Sequence, residues 1–366
     1  MIHTMLKTYR KIDETLWRIA GRIQLLKGVS PTQASIDQFR DSFFRSRKEG
    51  SRAPLRLAYY PPRSDLAALK AALEQASAPE GPLGPLYEAK RLELLAKAKL
   101  LAAVGTSDLT TQSHAVYGRP SPEDVRRADL YLAGHPPNKW PPREVTASAL
   151  GERFAQALAS RGLNDWGVVL RTEGVVGVSI NYRRRAIEVH AERFFNEQDV
   201  ARLIIHEIDT HILRWSRAEA TGLRLFALGT AGYLSTEEGL AVYQEAQHGV
   251  LEVNRLRVYA GQLLAVNTAL ISGFEAVFES LVARGFDEEE TFHITLRVKR
   301  GLSNVEEPGA FTKDHCYFTG YCAIEAFVEA GGRVEELFLL GKVGLEDLPL
   351  LRRVGLVSAM RVRATV

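Results

Sequence analysis

An apolar run in the middle of the chain carries two histidines that are five residues apart. It reads LIIHEIDTHILRW and contains His206, Glu207 and His211. On a regular α-helix, five residues turn the chain through about 500°, so the two imidazoles would point about 140° apart. A metal site on this helix therefore requires an inserted residue accommodated as a π-bulge between Glu207 and His211, or a bend at Asp209 and Thr210, which are poor helix formers.

The residue types in this run are those of a zinc peptidase site. Such a site takes two neutral imidazoles, a third ligand from elsewhere in the chain and an open position for water. In the motif H-E-x-x-H the histidines share one helical face, and the glutamate beside the first histidine accepts the proton of the water. Histidines in an apolar run also occur in ordinary protein cores, so the run alone leaves both interpretations open.

A second acidic motif follows later in the chain. The segment STEEGLAVYQE places Glu237 and Glu238 at the start of a predicted helix, with Ser235 or Thr236 as its N-cap. In gluzincin-like peptidases the third zinc ligand is a glutamate on a later helix, but a capped helix start produces the same pattern. Together the two motifs support a metal site and an ordinary helical core about equally.

The first part of the chain predicts a helical N-terminal region. Apolar periodicity and capping residues indicate several helices: Lys7–Leu26, a long Ala/Leu-rich stretch Leu66–Val104, and one beginning at Ser121 or Pro122. Prolines recur from Pro120 to Pro142 and indicate loops. We place a domain boundary there, between residues 1–140 and a catalytic region 141–366, with one continuous domain from about residue 40 as the alternative.

A Val- and Ile-rich block then predicts a small sheet. The segment WGVVLRTEGVVGVSINYRRRAIEVHAERFF contains alternating and turn-like stretches, which favour two or three antiparallel strands. It leads directly into the run with the two histidines, and further helices are predicted to Gly285 and again near the C-terminus. The fold class expected is α+β, mostly helical, with a small antiparallel sheet next to the metal-binding helix and a gluzincin-like catalytic core.

Charge and cysteine content narrow the expected partners and compartment. Lys and Arg total 47 against 44 Asp and Glu, a formal charge of +3 that indicates no nucleic-acid partner. The basic run RSRKEGSR lacks interleaved aromatics and is typical of a solvated loop. The two cysteines, Cys316 and Cys322, are too few for a disulfide framework. Because neither a signal peptide nor a membrane span of about twenty apolar residues is visible, we expect a cytoplasmic protein; its oligomeric state is not predicted.

Several segments in order resemble one peptidase family, the tyrosine carboxypeptidases that trim the C-terminal tyrosine of tubulin in animals, with bacterial relatives named for a QEGLA motif. The resemblance covers the chain from roughly Tyr60 to the C-terminus, and its segments include LIIHEIDTHILR, STEEGLA, SHAVYGRPS, RVKRGL, PGAFTKDHCYFTGY and LFLLGKVGLEDL. The resemblance implies that His206, His211 and Glu238 bind zinc and that Glu207 is the catalytic glutamate. This chain departs from the family in having Asp209 in place of a glycine and TEEGLA in place of QEGLA.

The resemblance implies a zinc carboxypeptidase that acts on a peptide or protein C-terminus. In such an enzyme the metal activates a water molecule, and Glu207 takes the water's proton and delivers it to the leaving amine. Candidates for stabilising the oxyanion are Tyr317 and His315, with Tyr321 behind them, and aromatic packing beside the site is the alternative for each. An endopeptidase or other amidohydrolase, or a regulatory protein with a structural zinc, remains a competing hypothesis, although Glu207 is needed only for chemistry.

Basic residues in two of these segments are candidates for binding the substrate carboxylate. RVKRG supplies Arg297, Lys299 and Arg300 on a predicted short strand, and Lys313 follows in FTKD. Along a strand Arg297 and Lys299 would share one face, and we expect them to bind a free C-terminal carboxylate. A solvated basic strand edge is the alternative.

Overall fold

Helices dominate the computed structural model, which describes residues 2–51, 56–172 and 177–365. The helices are α1 (Ile2–Ala20), α2 (Leu25–Val29), α3 (Gln33–Glu49), α4 (Leu66–Gln75), α5 (Gly84–Ala102), α6 (Leu109–Tyr117), α7 (Pro122–Gly134), α8 (Ala147–Ser160), α9 (Glu197–Leu203), α10 (Leu213–Thr221), α11 (Leu225–Leu228), α12 (Leu234–Gln247), α13 (Val253–Ala269), α14 (Phe274–Val282), α15 (Glu288–Lys299), α16 (Cys316–Glu329), α17 (Glu335–Leu339), α18 (Leu348–Arg353) and α19 (Leu356–Thr365). Residues Ile204–Ile212 form a π-helix, and Thr312–His315 and Leu345–Asp347 form 3₁₀ turns.

Capping residues and prolines set many of these boundaries. Ser121 and Asp124 form a capping box at the start of α7, in which each side chain accepts a hydrogen bond from the other's backbone N–H, at 3.1 and 3.0 Å. The predicted stretch Leu66–Val104 is two helices, because Pro79 and Pro82 lie between α4 and α5 and cannot donate helical hydrogen bonds. The first predicted helix ends at Ala20 rather than Leu26.

Five short strands form two small sheets in the described part of the chain. They are β1 (Val145–Thr146), β2 (Gly167–Arg171), β3 (Val178–Asn181), β4 (Ala186–His190) and β5 (Phe194–Phe195). The predicted antiparallel pairing holds for β3 with β4, and β1, which lies before the predicted block, also pairs antiparallel with β5. However, β2 runs parallel to β4, so the three-stranded sheet has the order β2-β4-β3 and is mixed. The α+β class expected from the sequence is confirmed.

The three-stranded sheet packs against the helix that carries the two histidines. Strand β4 buries Ile187 and Val189, which share one hydrophobic core with Ile208 and Ile212 of the π-helix and with Trp215 of α10. Apolar side chains on the sheet side of the π-helix therefore hold it in place. The predicted position of the sheet, next to this helix, is confirmed.

Other cores join the beginning of the chain to its end. Leu16 of α1 and Tyr87 of α5 lie in one core with Phe226, Leu337 and Leu351. A second core likewise combines α3 residues with residues of α14 and α15. The expected boundary near residue 140 stays a prediction.

Two further expectations concern the surface. The basic run RSRKEGSR was expected to be a loop, but its first residues complete α3, which ends at Gly50 in the left-handed conformation. Arg47 from this run pairs with Glu279 and lies over the ring of Phe278. Arg45, Lys48 and Glu49 are exposed, so the run is a solvated helix end rather than a loop, and Arg52 lies outside the described residues. Within the described ranges, none of the helices combines the length and apolar character that crossing a lipid bilayer requires.

Two glycines allow α12 and α16 to touch through their backbones. A Cβ atom built on Gly239 would overlap the backbone of Gly320, and one built on Gly320 would overlap the carbonyl of Ser235. No side chain could move aside to relieve these overlaps. This close contact therefore sets the distance between the helix that carries Glu238 and the helix that carries Tyr317.

Replacing Gly320 by alanine is expected to lower the free energy of unfolding by about 1–3 kcal/mol, because the added methyl group forces the two helices apart. Denaturant titration of both proteins measures the change. Gly134→Ala is the matched control, since a Cβ at this last residue of α7 meets nothing within 4 Å. An unchanged midpoint for Gly320→Ala would show that the helices separate without cost.

Candidate metal centre

The helix with the two histidines changes geometry where their spacing requires it. Helix α9, the π-helix Ile204–Ile212 and α10 follow one another without a break. Leu213 N donates to the carbonyl of Ile208, and Thr210 Oγ1 donates to the carbonyl of Ile205 at 3.0 Å, both five residues back. Residues five apart therefore share a face, and the rings of His206 and His211 have their centroids 4.7 Å apart. The predicted departure from α geometry is confirmed.

Three buried side chains converge at this helix face. The Nε2 atoms of His206 and His211 lie 3.7 and 3.8 Å from Oε2 of Glu238 on α12, and one ligand atom from each residue lies within 4.8 Å of the others. Ligand atoms about 2.1 Å from a tetrahedral zinc would be about 3.4 Å apart, close to the two nitrogen–oxygen distances here. Two imidazoles and one carboxylate are also donors that zinc accepts. The predicted ligand set thus fits such an ion.

The other nitrogen of each histidine contacts a second glutamate of α12. Nδ1 of His206 lies 2.6 Å from Oε1 of Glu245, and Nδ1 of His211 lies 2.9 Å from Oε1 of Glu237. The sequence analysis did not identify Glu245. The sequence does contain a signal for Glu245, namely its distance from Glu238. The two residues are about two helical turns apart and so lie on the same face of α12.

Charges inside this cluster are strongly coupled. Burial alone would lower the pKa of His206, but its hydrogen bonds to Glu238 and Glu245 outweigh this effect and raise the pKa to about 10. Burial would raise the pKa of Glu238, yet the ammonium of Lys313, 3.5 Å from Oε1, and the two histidines lower it to about 2. A divalent cation would replace a proton here, so metal binding should release protons.

A cavity of about 340 Å³ opens beside His206 and Glu207. Five arginines and two carboxylates line it: Arg143, Arg193, Arg202, Arg255, Arg297, Asp199 and Glu207. Tyr259 and Tyr317 stack with their centroids 5.0 Å apart on its wall. A larger cavity of about 540 Å³ lies between α3 and α14, where the described lining residues include no histidine. The smaller cavity is therefore the one that can hold a substrate at the candidate metal centre, and it favours anionic groups.

The segment RVKRG is the end of helix α15, in which Arg297, Val298 and Lys299 are helical, and this corrects the strand prediction. Asp287 caps α15 by accepting the N–H of Glu290 at 2.9 Å, and the helix continues to Lys299. Arg297 lines the cavity and donates from Nε and Nη2 to Asp314 at 2.8 and 3.0 Å. On a helix, Arg297 and Lys299 do not share a face.

The other predicted basic residues have different surroundings. Lys299 is fully buried, and its ammonium contacts the carbonyls of Ala269, Ser272, Glu307 and Gly309 at 2.5–3.4 Å. An ammonium so engaged has no proton left for a substrate carboxylate. Arg300 Nη2 lies 3.4 Å from Asp314. The ammonium of Lys313 lies 3.5 Å from Oε1 of Glu238 and 5.0 Å from the ring centroid of Tyr317, and neither basic residue belongs to the described lining of the cavity.

The three candidates for stabilising an oxyanion have different surroundings. Tyr317 lines the cavity, and burial together with Glu238 raises the pKa of its hydroxyl to about 12, so it is a protonated donor. His315 Nε2 contacts the carbonyl of Tyr117 at 2.8 Å, and the partly buried Tyr321 packs against a hydrophobic core. Neither belongs to the described lining of the cavity. Of the three candidates, Tyr317 is therefore the one placed to donate to a substrate in the cavity.

The fold and the site together define a mostly helical α+β protein with a three-residue candidate metal centre on a π-helix and a following helix. Residues 38–359 match the family model described as microtubule-associated tyrosine carboxypeptidase, and the chain therefore belongs to this family. The resemblance seen in the sequence is confirmed.

Relatives with curated descriptions carry the same family name. The microtubule-associated tyrosine carboxypeptidase 1 of Rattus norvegicus is 31% identical over 170 residues, which are 44% of this chain and 34% of the relative. The Homo sapiens protein of that name shows the same values. The putative tyrosine carboxypeptidase MATCAP2 of Mus musculus is 33% identical over 129 residues, 35% of this chain and 24% of the relative. The matches thus span about a third or less of these relatives.

Proposed function

We propose that this protein is a zinc-dependent carboxypeptidase that hydrolyses the last peptide bond of a peptide or protein. The observation that carries this proposal is the convergence of His206, His211 and Glu238 beside a cavity lined by Glu207. Membership of a family described as tyrosine carboxypeptidases, and relatives with that name, support a C-terminal residue as the product. Zinc is proposed because two imidazoles and a carboxylate leave a fourth position for water.

Proton transfer is assigned to Glu207. Its neighbour His206 belongs to the ligand cluster, and Glu207 itself is half-buried on the cavity wall. Zinc, when bound, supplies the Lewis acidity that activates a water and polarises the scissile carbonyl. Glu207 accepts a proton from the attacking water and delivers it to the departing amine. Because Glu207 lines the cavity, it is placed to meet a substrate there without rearrangement of the helix.

Tyr317 is assigned to the negative charge that develops on the substrate oxygen. Its hydroxyl keeps its proton at neutral pH because burial and the nearby carboxylate of Glu238 raise its pKa. Stacking on Tyr259 restricts the ring, so the donor is oriented before the reaction begins. A preoriented neutral donor stabilises an oxyanion without the cost of reorganisation.

Arg297 is assigned to the C-terminal carboxylate of the substrate. Asp314 is buried and holds the guanidinium by two hydrogen bonds, whereas 41% of the Arg297 side chain is exposed. The attraction between the two groups keeps the pKa of Arg297 well above its usual value and that of Asp314 well below its own, so both stay charged. A held guanidinium at the cavity is suited to a planar carboxylate.

Release of the C-terminal residue from a free-acid peptide, followed by mass spectrometry, tests the proposed function. We expect cleavage to stop after zinc is removed by a chelator and to return when zinc is added. Amidating the peptide C-terminus and replacing Arg297 by alanine should each slow cleavage by about 10–100-fold, because each removes one partner of a charge-assisted hydrogen bond of about 1.5–3 kcal/mol.

Arg352→Ala is the matched control for Arg297→Ala. Arg352 is also an exposed arginine paired with a carboxylate, that of Glu336, and it lies outside the described lining of the cavity. Its replacement should leave cleavage unchanged. Equal cleavage of free-acid and amidated peptides would remove Arg297 as the anchor and favour an endopeptidase, whose metal centre needs no free C-terminus.

A further inference from the structure

Each histidine of the candidate metal centre has a buried glutamate behind it. Glu245 lies 2.6 Å from Nδ1 of His206, and its side chain is fully buried. Glu237 lies 2.9 Å from Nδ1 of His211, and only 4% of its side chain is exposed. In both cases the nitrogen that faces Glu238 is Nε2. Each imidazole therefore contacts a buried carboxylate through Nδ1 and directs Nε2 toward the ligand cluster.

The two glutamates are in turn held by buried arginines. Arg214 is fully buried and donates from Nη1 to Oε2 of Glu237, while its Nε and Nη2 donate to the carbonyls of Leu337 and Val343 at 3.0 and 2.9 Å. Arg202 Nη1 lies 3.3 Å from Oε1 of Glu245. Three anchored donors of one guanidinium leave Glu237 little freedom to move.

This arrangement decides which nitrogen of each histidine binds a metal. A neutral imidazole has one N–H and one lone pair, and a carboxylate beside Nδ1 selects the tautomer with its proton there. The lone pair is then on Nε2, and the hydrogen bond also prevents rotation of the ring. A metal ion that enters the cluster finds both nitrogens already oriented, so less conformational freedom is lost on binding.

We propose, on the basis of the proposed zinc centre, that Glu245 and Glu237 are positioning residues for His206 and His211, and that Arg214 anchors Glu237 to the segment 337–343. Neither glutamate needs to contact substrate or reacting atoms for this role. The alternative is that both are ordinary buried ion pairs that stabilise the fold. The two explanations differ in what they predict for metal affinity in protein that stays folded.

Zinc affinity, measured by competition with a coloured chelator, separates these explanations. Glu245→Gln and Glu237→Gln should each weaken zinc binding by about 10–100-fold, because an amide keeps the shape but loses the charge that strengthens the histidine ligand. Glu336→Gln is the matched control, since Glu336 is a buried carboxylate paired with Arg352 and Arg361. The Glu336→Gln variant should bind zinc with the same affinity as the protein without substitutions.

Glu237→Gln leaves the positive charges of Arg214 and Lys342 without a carboxylate, and this alone could unfold the protein. The double variant Glu237→Gln/Lys342→Met removes one charge of each sign and serves as the folded alternative. Circular dichroism of the metal-free proteins establishes folding before zinc is added. In the double variant we expect the same loss of zinc affinity.

The possible outcomes also separate this proposal from the proposed function. Zinc affinities within twofold of the unchanged protein for Glu245→Gln and for the folded Glu237 variant would overturn the positioning role, even if peptides are cleaved. Weakened zinc binding in the variants of a protein that cleaves no peptide would support the positioning role and contradict the carboxypeptidase. If the protein without substitutions binds no zinc, both the positioning role and the zinc-dependent carboxypeptidase are contradicted.

Discussion

Replacing Glu207 by glutamine is expected to lower the turnover of a free-acid peptide by about 10²–10⁴-fold while the zinc content stays the same. The amide has the size of the carboxylate but cannot accept a proton from water. Because Glu207 lines the cavity and is absent from the ligand cluster, its loss should not disturb metal binding. Steady-state kinetics and metal analysis of the same preparation provide the two measurements.

Glu219→Gln is the matched control for this experiment. Glu219 lies on α10, the continuation of the same helix, and pairs with Arg185 at the surface. Its variant should keep both turnover and zinc. If Glu207→Gln retained turnover together with its zinc, the proton acceptor would have to be another residue.

The double variant His206→Ala/His211→Ala is expected to lose both zinc and activity completely. The unchanged protein should hold one zinc per chain, whereas one remaining carboxylate, that of Glu238, cannot hold the ion at micromolar concentrations. Metal analysis after dialysis measures the content. His135→Ala/His248→Ala removes two exposed histidines instead and should change neither quantity. Full zinc retention in the first double variant would contradict the ligand assignment.

The geometry of the candidate metal centre was predictable because two histidines that bind one metal must share a helix face, which their spacing does not allow on a regular α-helix. Two histidines five residues apart can share a metal only if the α-helix is interrupted, and the structure has a π-helix at Ile204–Ile212. Local residues also favour this solution, since Thr210 donates to a carbonyl five residues earlier. The choice of Glu238 over Glu237 came from the family resemblance, because the two neighbours look alike in the sequence.

Other features depended on contacts that the sequence does not display. Helix α15 contains several β-branched residues and is buried on more than one face, so it lacks the amphipathic period that identifies a surface helix. Its tertiary packing overrides the strand preference of RVKRG. Similarly, β2 pairs with β4 rather than with its neighbour in sequence, β3, and only the folded sheet reveals this order.

The contact between Gly239 and Gly320 limits how the cavity can adapt to substrates. Where two backbones touch there is no side chain that can adopt another rotamer, so α12 and α16 should move as one rigid unit. Glu238 and Tyr317, one on each helix, then keep a constant separation whatever enters the cavity. Any widening for a bulkier residue must come from lining residues on other elements, such as Val178 of β3 and the exposed Phe194 of β5.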